Sequence, residues 1–158
     1  MKLKQKQIFI SAGEVSGDRH AAALVGELRR LDPALSFFGM GHHALRAQGV
    51  ELLADEVSAS TIGFIEPLRV LPRMLVIWWR LKRAIQTRRP DLIIVVDCQG
   101  FHMPLLKAVR HLGIPIVYYI APQEWLWENA KFGKKLIALT DKIIAIFQKE
   151  ADFYNRLG

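Results

Sequence analysis

Ser11-Ala-Gly-Glu-Val-Ser-Gly-Asp18 stands between a short apolar run, Ile8-Phe9-Ile10, and a stretch from Arg19 onward whose apolar residues recur at helical spacing. That order reads as strand, glycine-containing turn, helix. In an open α/β sheet, ligands bind in the crevice outside the carboxyl ends of the strands, and a loop after a first strand lies in that crevice. Gly13 and Gly17 allow a tight turn and a close backbone approach. Ser16 or Asp18 can cap the helix that follows. The helix N-terminus offers free N–H groups and a positive dipole end to an anion. Glu14 adds a carboxylate at the mouth. The spacing is neither Gly-x-Gly-x-x-Gly nor a P-loop, since no Gly-Lys-Ser/Thr follows. Taken alone, the stretch fits a plain strand-to-helix turn as well as a ligand loop.

Outward from this turn, strand and helix signals alternate. Residues 18–31 read as a helix, with Ala22, Val25, Leu28 and Leu31 on one stripe and Asp32-Pro33 ending it. Strands are expected at 36–40 and 50–53, around a short helix over 41–48 that Gly49 stops. Residues 54–65 read as a loop bending at Gly63. Asp91-Leu-Ile-Ile-Val-Val-Asp97 is a continuous apolar run, as central parallel strands are. Asp97 therefore falls on the same carboxyl edge as the first turn, and Asp91 at the opposite end. A helix over 101–112, a buried strand over 114–120 and a loop over 121–127 follow. That loop carries Trp125 and Trp127 outside any apolar run, which suits a ligand wall or a lid on the core. A basic helix over 129–139, a strand over 142–147 and the start of a helix at 150 complete the pattern. The alternation predicts one Rossmann-like α/β domain over 1–158, a largely parallel sheet with helices on both faces.

Composition narrows the classes. With 158 residues and 51% hydrophobic content the chain can bury a core, which argues against disorder. Cys98 is the only cysteine, so no internal disulfide forms and a reducing compartment is expected. The net charge of +7 favours anionic partners, but no nucleic-acid motif accompanies it, so nucleic acid is not expected. No run approaches ~18 apolar residues, and the apolar segment after the basic N-terminus is too short for a signal peptide. His42 and His43 are adjacent rather than four apart, and the other histidines are scattered, so no metal cluster is apparent. Asp97 can serve as general base for a hydroxyl, or can hold a loop by accepting backbone N–H bonds.

The segment 66–89 is the oddest. Pro72 is placed in a first helical turn. Over 71–83, at ~100° per residue, Arg73, Arg80 and Arg83 share one face. Val70, Leu71, Met74, Leu75, Ile77, Trp78, Trp79 and Leu81 fill the rest of the circle. That apolar arc is wider than a core-facing stripe needs. Part of it should be exposed, toward a partner, a ligand or a membrane surface, unless another element covers it.

These motifs, in this order, resemble the N-terminal half of the lipid-A-disaccharide synthase family. The carrying residues are Ser11 to Asp18, Gly63-Phe-Ile-Glu66, Pro90-Asp91 through Asp97, and Pro122-x-x-Trp-x-Trp127. The resemblance implies an inverting glycosyltransferase of GT-B architecture, without metal or organic cofactor. Its substrates would be UDP-2,3-diacylglucosamine and 2,3-diacylglucosamine 1-phosphate (lipid X), giving a β-1,6 disaccharide 1-phosphate and UDP. It further implies Asp97 as base on, or orienter of, the acceptor hydroxyl. Gly13, Glu14, Ser16, Gly17 and Asp18, with Trp125 and Trp127, would line the substrate cleft. Leu71, Met74, Leu75, Trp78 and Trp79, with Arg73 and Arg80, would contact acyl chains or anionic lipid at the cytoplasmic face of the inner membrane.

Many members read Ala-Pro-Asp-Phe-Asn after the aspartate, where this chain reads Cys98-Gln-Gly-Phe-His102. The resemblance also implies a second, UDP-binding domain, in cis or in trans. The stop at Gly158 is therefore expected to be a truncation, and the isolated chain is not expected to turn over. Two alternatives remain open at this point: a non-catalytic membrane- or lipid-binding half-protein, and a nucleotide-binding α/β module.

Overall fold

The computed structural model describes residues 5–55 and 67–158, with only the backbone given for 55 and 67–71. The elements are β1 (Gln7–Ala12), α1 (Val15–Leu31), β2 (Ser36–Gly41), α2 (His43–Ala47), β3 (Glu51–Asp55), α3 (Pro67–Arg88), β4 (Leu92–Val96), α4 (Gln99–Val109), β5 (Ile116–Tyr119), α5 (Ala130–Leu139), β6 (Lys142–Ile144) and α6 (Gln148–Leu157). The strands form one sheet in the order β3-β2-β1-β4-β5-β6, with every pair parallel. This is the Rossmann order, and its direction reverses between β1 and β4. The predicted Rossmann-like fold is what the chain adopts.

Period-two alternation sends successive residues to opposite faces. On one face Ile8, Ile10, Ala12, Phe37, Ile94 and Val96 pack beneath α1 and α2. On the other, Phe9, Phe38, Ile93, Val95, Ile116 and Tyr118 pack against α3, α4, α5 and α6. Ser11 lies two residues from Phe9, so it too points to this second face, where it is fully buried. The amino ends of the strands are latched by the same device twice. The Gln7 amide donates to Asp91 Oδ2 at 2.8 Å, while the Asp91 amide donates to the Gln7 carbonyl. Likewise the Ile116 amide donates to Asp141 Oδ2 at 2.8 Å, and the Asp141 amide to the Ile116 carbonyl. Each pair fixes register where a one-residue slip would turn the buried set outward.

Several boundaries differ from the sequence reading. α3 begins at Pro67, so Pro72 lies inside the helix rather than in its first turn. Pro67 takes the initial position instead, where a missing N–H costs nothing. Residues 123–127 wind into a 3-10 turn rather than an irregular loop. β6 stops at Ile144, three residues short of the expected end. The expected loop over 54–65 and the Gly63 to Glu66 motif fall largely outside the described residues.

Candidate active site

Two strand-to-helix turns meet where the strand order reverses. Gly13 follows β1 and Cys98 lies one residue beyond Asp97 at the end of β4. A Cβ on Gly13 would overlap the Cys98 side chain, so glycine is what lets the turns touch. Neither Gly13 nor Gly17 has a positive φ, so the close approach at Gly13 comes from its missing side chain and not from a left-handed backbone. Gly17 is buried where α1 sits on the sheet, and a Cβ added there would meet Ala12 and Val96 at ordinary contact distance. Glu14 is the exposed N-cap residue of α1, without a side-chain capping bond, and Ser16 is exposed in the first turn. The left-handed residues are instead Asp97 (φ 51) and Cys98 (φ 48), in succession. L-residues avoid this region, at a cost of roughly 1–2 kcal/mol each. The Asp97 side chain is half-buried at the carboxyl edge.

The Asp97 carbonyl oxygen is held from two sides. His102 Nδ1 donates to it at 2.7 Å and the Tyr118 hydroxyl at 2.7 Å. The other ring nitrogen of His102, Nε2, lies 2.8 Å from Ser11 Oγ. Ser11, His102 and Tyr118 are all completely buried. Burial is the leading cause that lowers the His102 pKa to about 4, so the ring is neutral near pH 7. Burial also pushes the Tyr118 phenol well above its ordinary value, with the Asp97 charge adding to the effect. Sequence reading missed this network, having left His102 among scattered histidines. One signal was present: His102, Leu105, Leu106 and Val109 form the buried stripe of α4.

Asp18 is a correction. It is buried, and its carboxylate accepts amide bonds from His42 at 2.7 Å, Ala44 at 2.9 Å and Leu45 at 3.4 Å. It caps α2 rather than its own helix. The two tryptophans separate. Trp125 is half-buried against the core, its ring 6.1 Å from that of Phe147, whereas Trp127 is 80% exposed. Trp125 thus lies partly over the core, while Trp127 stands out from it. The Tyr154 hydroxyl donates to the Pro122 carbonyl at 3.0 Å and ties this turn to α6.

α3 divides as its wide apolar arc predicts. Ile77, Leu81 and Ile85 are in the core, with Met74 and Trp78 packed partly against it. Leu75 (58%), Val76 (61%) and Trp79 (58%) are exposed. The Arg83 guanidinium stands over the Trp79 ring at 5.5 Å. Arg73 is exposed, and Arg80 reaches the Leu53 carbonyl at 2.9 Å. Leu71 lies on the helix, its side chain outside the description. No helix among the described residues is long and apolar enough to cross a membrane. No group of three or more potential metal ligands is found among them either.

The model of the family described as lipid-A-disaccharide synthetase matches residues 8–158. The chain belongs to this family. Lipid-A-disaccharide synthase from Myxococcus xanthus is 43% identical over 152 residues, covering 96% of this chain and 39% of that protein. The Geobacter metallireducens synthase is 40% identical over 153 residues, covering 97% and 40%. The chain therefore spans about two fifths of the length of these synthetase relatives. Among solved structures, S. aureus MnaA with UDP aligns at TM-score 0.66 and 16% identity, over 97% of this chain and 42% of that one. MurG from Acinetobacter baumannii aligns at TM-score 0.60 and 17% identity, over 91% and 42%. These likenesses carry the fold alone: a Rossmann-like domain of the GT-B type, matched over part of the larger chains.

Proposed function

We propose that this chain is the acceptor side of a lipid A disaccharide-forming glycosyltransferase, with Asp97 as its general base. The donor is UDP-2,3-diacylglucosamine and the acceptor 2,3-diacylglucosamine 1-phosphate. As the acceptor hydroxyl oxygen bonds to the anomeric carbon, its proton passes to Asp97 and the bond to UDP breaks. Proton removal by a placed carboxylate is typically worth 10²–10⁴-fold. The observation that carries this reading is Asp97 itself. It is a half-buried carboxylate at the switch point, on a backbone turn that two buried donors hold. Family membership supplies the sugar chemistry. A UDP-binding domain, in cis or in trans, completes the cleft, since groups around the leaving diphosphate are what stabilise the developing charge.

We also propose that the outer face of α3 docks on an anionic membrane surface. Leu75, Val76 and Trp79 give the apolar contact, and Arg73, Arg80 and Arg83 the attraction. Both substrates carry acyl chains, so a site at the bilayer surface suits them.

The test joins this chain to the C-terminal part of the Myxococcus xanthus relative and follows disaccharide 1-phosphate and UDP. Transfer is expected, and Asp97→Ala should abolish it with the circular dichroism spectrum unchanged. Transfer at an unaltered rate in Asp97→Ala removes Asp97 from the chemistry. Absence of transfer in a folded parent protein counts against the acceptor-side reading.

A further inference from the structure

The unusual object in this site is a main-chain oxygen. Asp97 and Cys98 are consecutive left-handed residues without the excuse of being glycine. Such strain persists only where the surroundings over-determine it. Here they do so from two elements. Tyr118 on β5 and His102 on α4 both donate to the Asp97 carbonyl. The Cys98 carbonyl in turn accepts the amides of Phe101 at 3.1 Å and His102 at 3.0 Å. The strand-end amide of Asp97 is fixed as well, donating to the Tyr119 carbonyl at 3.2 Å.

The protons can be assigned by elimination. A carbonyl oxygen only accepts, so His102 Nδ1 must carry the hydrogen. The ring is neutral, so Nε2 keeps its lone pair and accepts from the Ser11 hydroxyl at 2.8 Å. The order is Ser11 Oγ–H to His102 Nε2, then His102 Nδ1–H to the Asp97 carbonyl. The Asp97 carbonyl thereby fixes the tautomer, and the Ser11 hydroxyl, able to donate or accept, turns its hydrogen toward the bare Nε2. The ring touches no open surface, so direct contact with a substrate is not its role.

We propose that His102 is a positioning residue, which with Tyr118 locks the left-handed turn that presents the Asp97 carboxylate to the acceptor, and that Ser11 steadies its ring from the far side. This rests on the reading of Asp97 as the base. A carboxylate displaced by ~1 Å from its working position can lose about 10²-fold in rate while binding is little changed. The effect of His102 should therefore appear in kcat rather than KM, and only where Asp97 is intact.

The experiment uses the joined protein described above. His102→Leu is expected to lower kcat about 10- to 100-fold, with KM for the acceptor within about twofold. His102→Asn, whose amide N–H can still donate to the carbonyl, should recover most of that loss. Tyr118→Phe, which deletes a single oxygen, should lower kcat several-fold, and it carries the test where His102→Leu does not fold. On the residual activity of Asp97→Asn, His102→Leu should cost nothing further. The outcomes separate cleanly. Unaltered transfer in Asp97→Ala defeats the base assignment itself. If Asp97→Ala is inactive but His102→Leu and Tyr118→Phe keep the parent kcat, the positioning role falls. It falls too if His102→Leu lowers the Asp97→Asn rate by the same factor as the parent rate. Nitrogen-15 NMR of this chain gives an independent reading: His102 should show a protonated Nδ1 and a bare Nε2, and the opposite tautomer overturns the assignment.

Discussion

The Asp18 carboxylate accepts the His42 amide at 2.7 Å, joining the first turn of α1 to the start of α2 across 24 residues of sequence. With the Ala44 and Leu45 amides it satisfies three donors that a helix N-terminus leaves open. Asp18→Ala strands those amides in a buried place. Bonds to a charged group contribute about 1.5–3 kcal/mol, so a loss of about 2–3 kcal/mol is expected in urea unfolding. Glu14→Gln, at an exposed position without a side-chain cap bond, should stay within about 0.5 kcal/mol of the parent. Equal effects of the two changes would refute the latch.

The buried imidazole makes stability depend on pH. His102 has its pKa lowered from 6.5 to about 4 by burial. Between those values the unfolded chain binds a proton that the folded chain refuses, so stability falls as pH drops through that window. The expected loss is about 2 kcal/mol between about pH 7 and pH 5. Asp141 and Glu51, lowered by their hydrogen bonds to Arg110 and Arg88, add their own losses at more acid pH. His102→Asn should flatten the slope between pH 7 and pH 5. A variant with the parent slope would show that the ring takes up its proton without cost.

The two sides of α3 should respond to different measurements. Leu81 is fully buried, so Leu81→Ala should cost about 2–5 kcal/mol of stability. Leu75→Ser with Trp79→Ser changes exposed residues and should leave unfolding almost unmoved. The same pair should abolish sedimentation with anionic phospholipid vesicles at low salt, and Leu81 at its own position should not be needed for it. Parent-like sedimentation of the double variant would end the membrane assignment.

Local patterns carried most of the architecture. Apolar runs ending in charge, as in Asp91 to Asp97, and glycine stops such as Gly113 placed strands and helices within a few residues. The excess apolar arc of α3 was legible because periodicity alone says how wide a core stripe must be. What was not legible depends on partners far apart in the chain. Asp18 finds α2, and His102 finds Ser11 across 91 residues, contacts that no spacing rule encodes. The sequence also cannot show φ. The left-handed pair Asp97 and Cys98 in the turn after β4 was therefore not legible in it.

Gly13 offers the sharpest link between the two turns. Its missing side chain leaves the space that the Cys98 Sγ and Cβ occupy. Gly13→Ala must push Cys98 away, and Cys98 is covalently the next residue after Asp97. Overpacking of this kind typically costs about 1–3 kcal/mol. At Gly17 a Cβ would meet its neighbours at 3.7 Å, which is ordinary contact, so Gly17→Ala is expected to be tolerated. In the transfer assay Gly13→Ala should lower the rate beyond what its loss of folded protein explains. Gly13→Ala combined with Cys98→Gly, which empties the contested space, should restore much of it. Rescue in the double variant would tie the first turn to Asp97 through Cys98. Equal rates for Gly13→Ala and Gly17→Ala would sever that link.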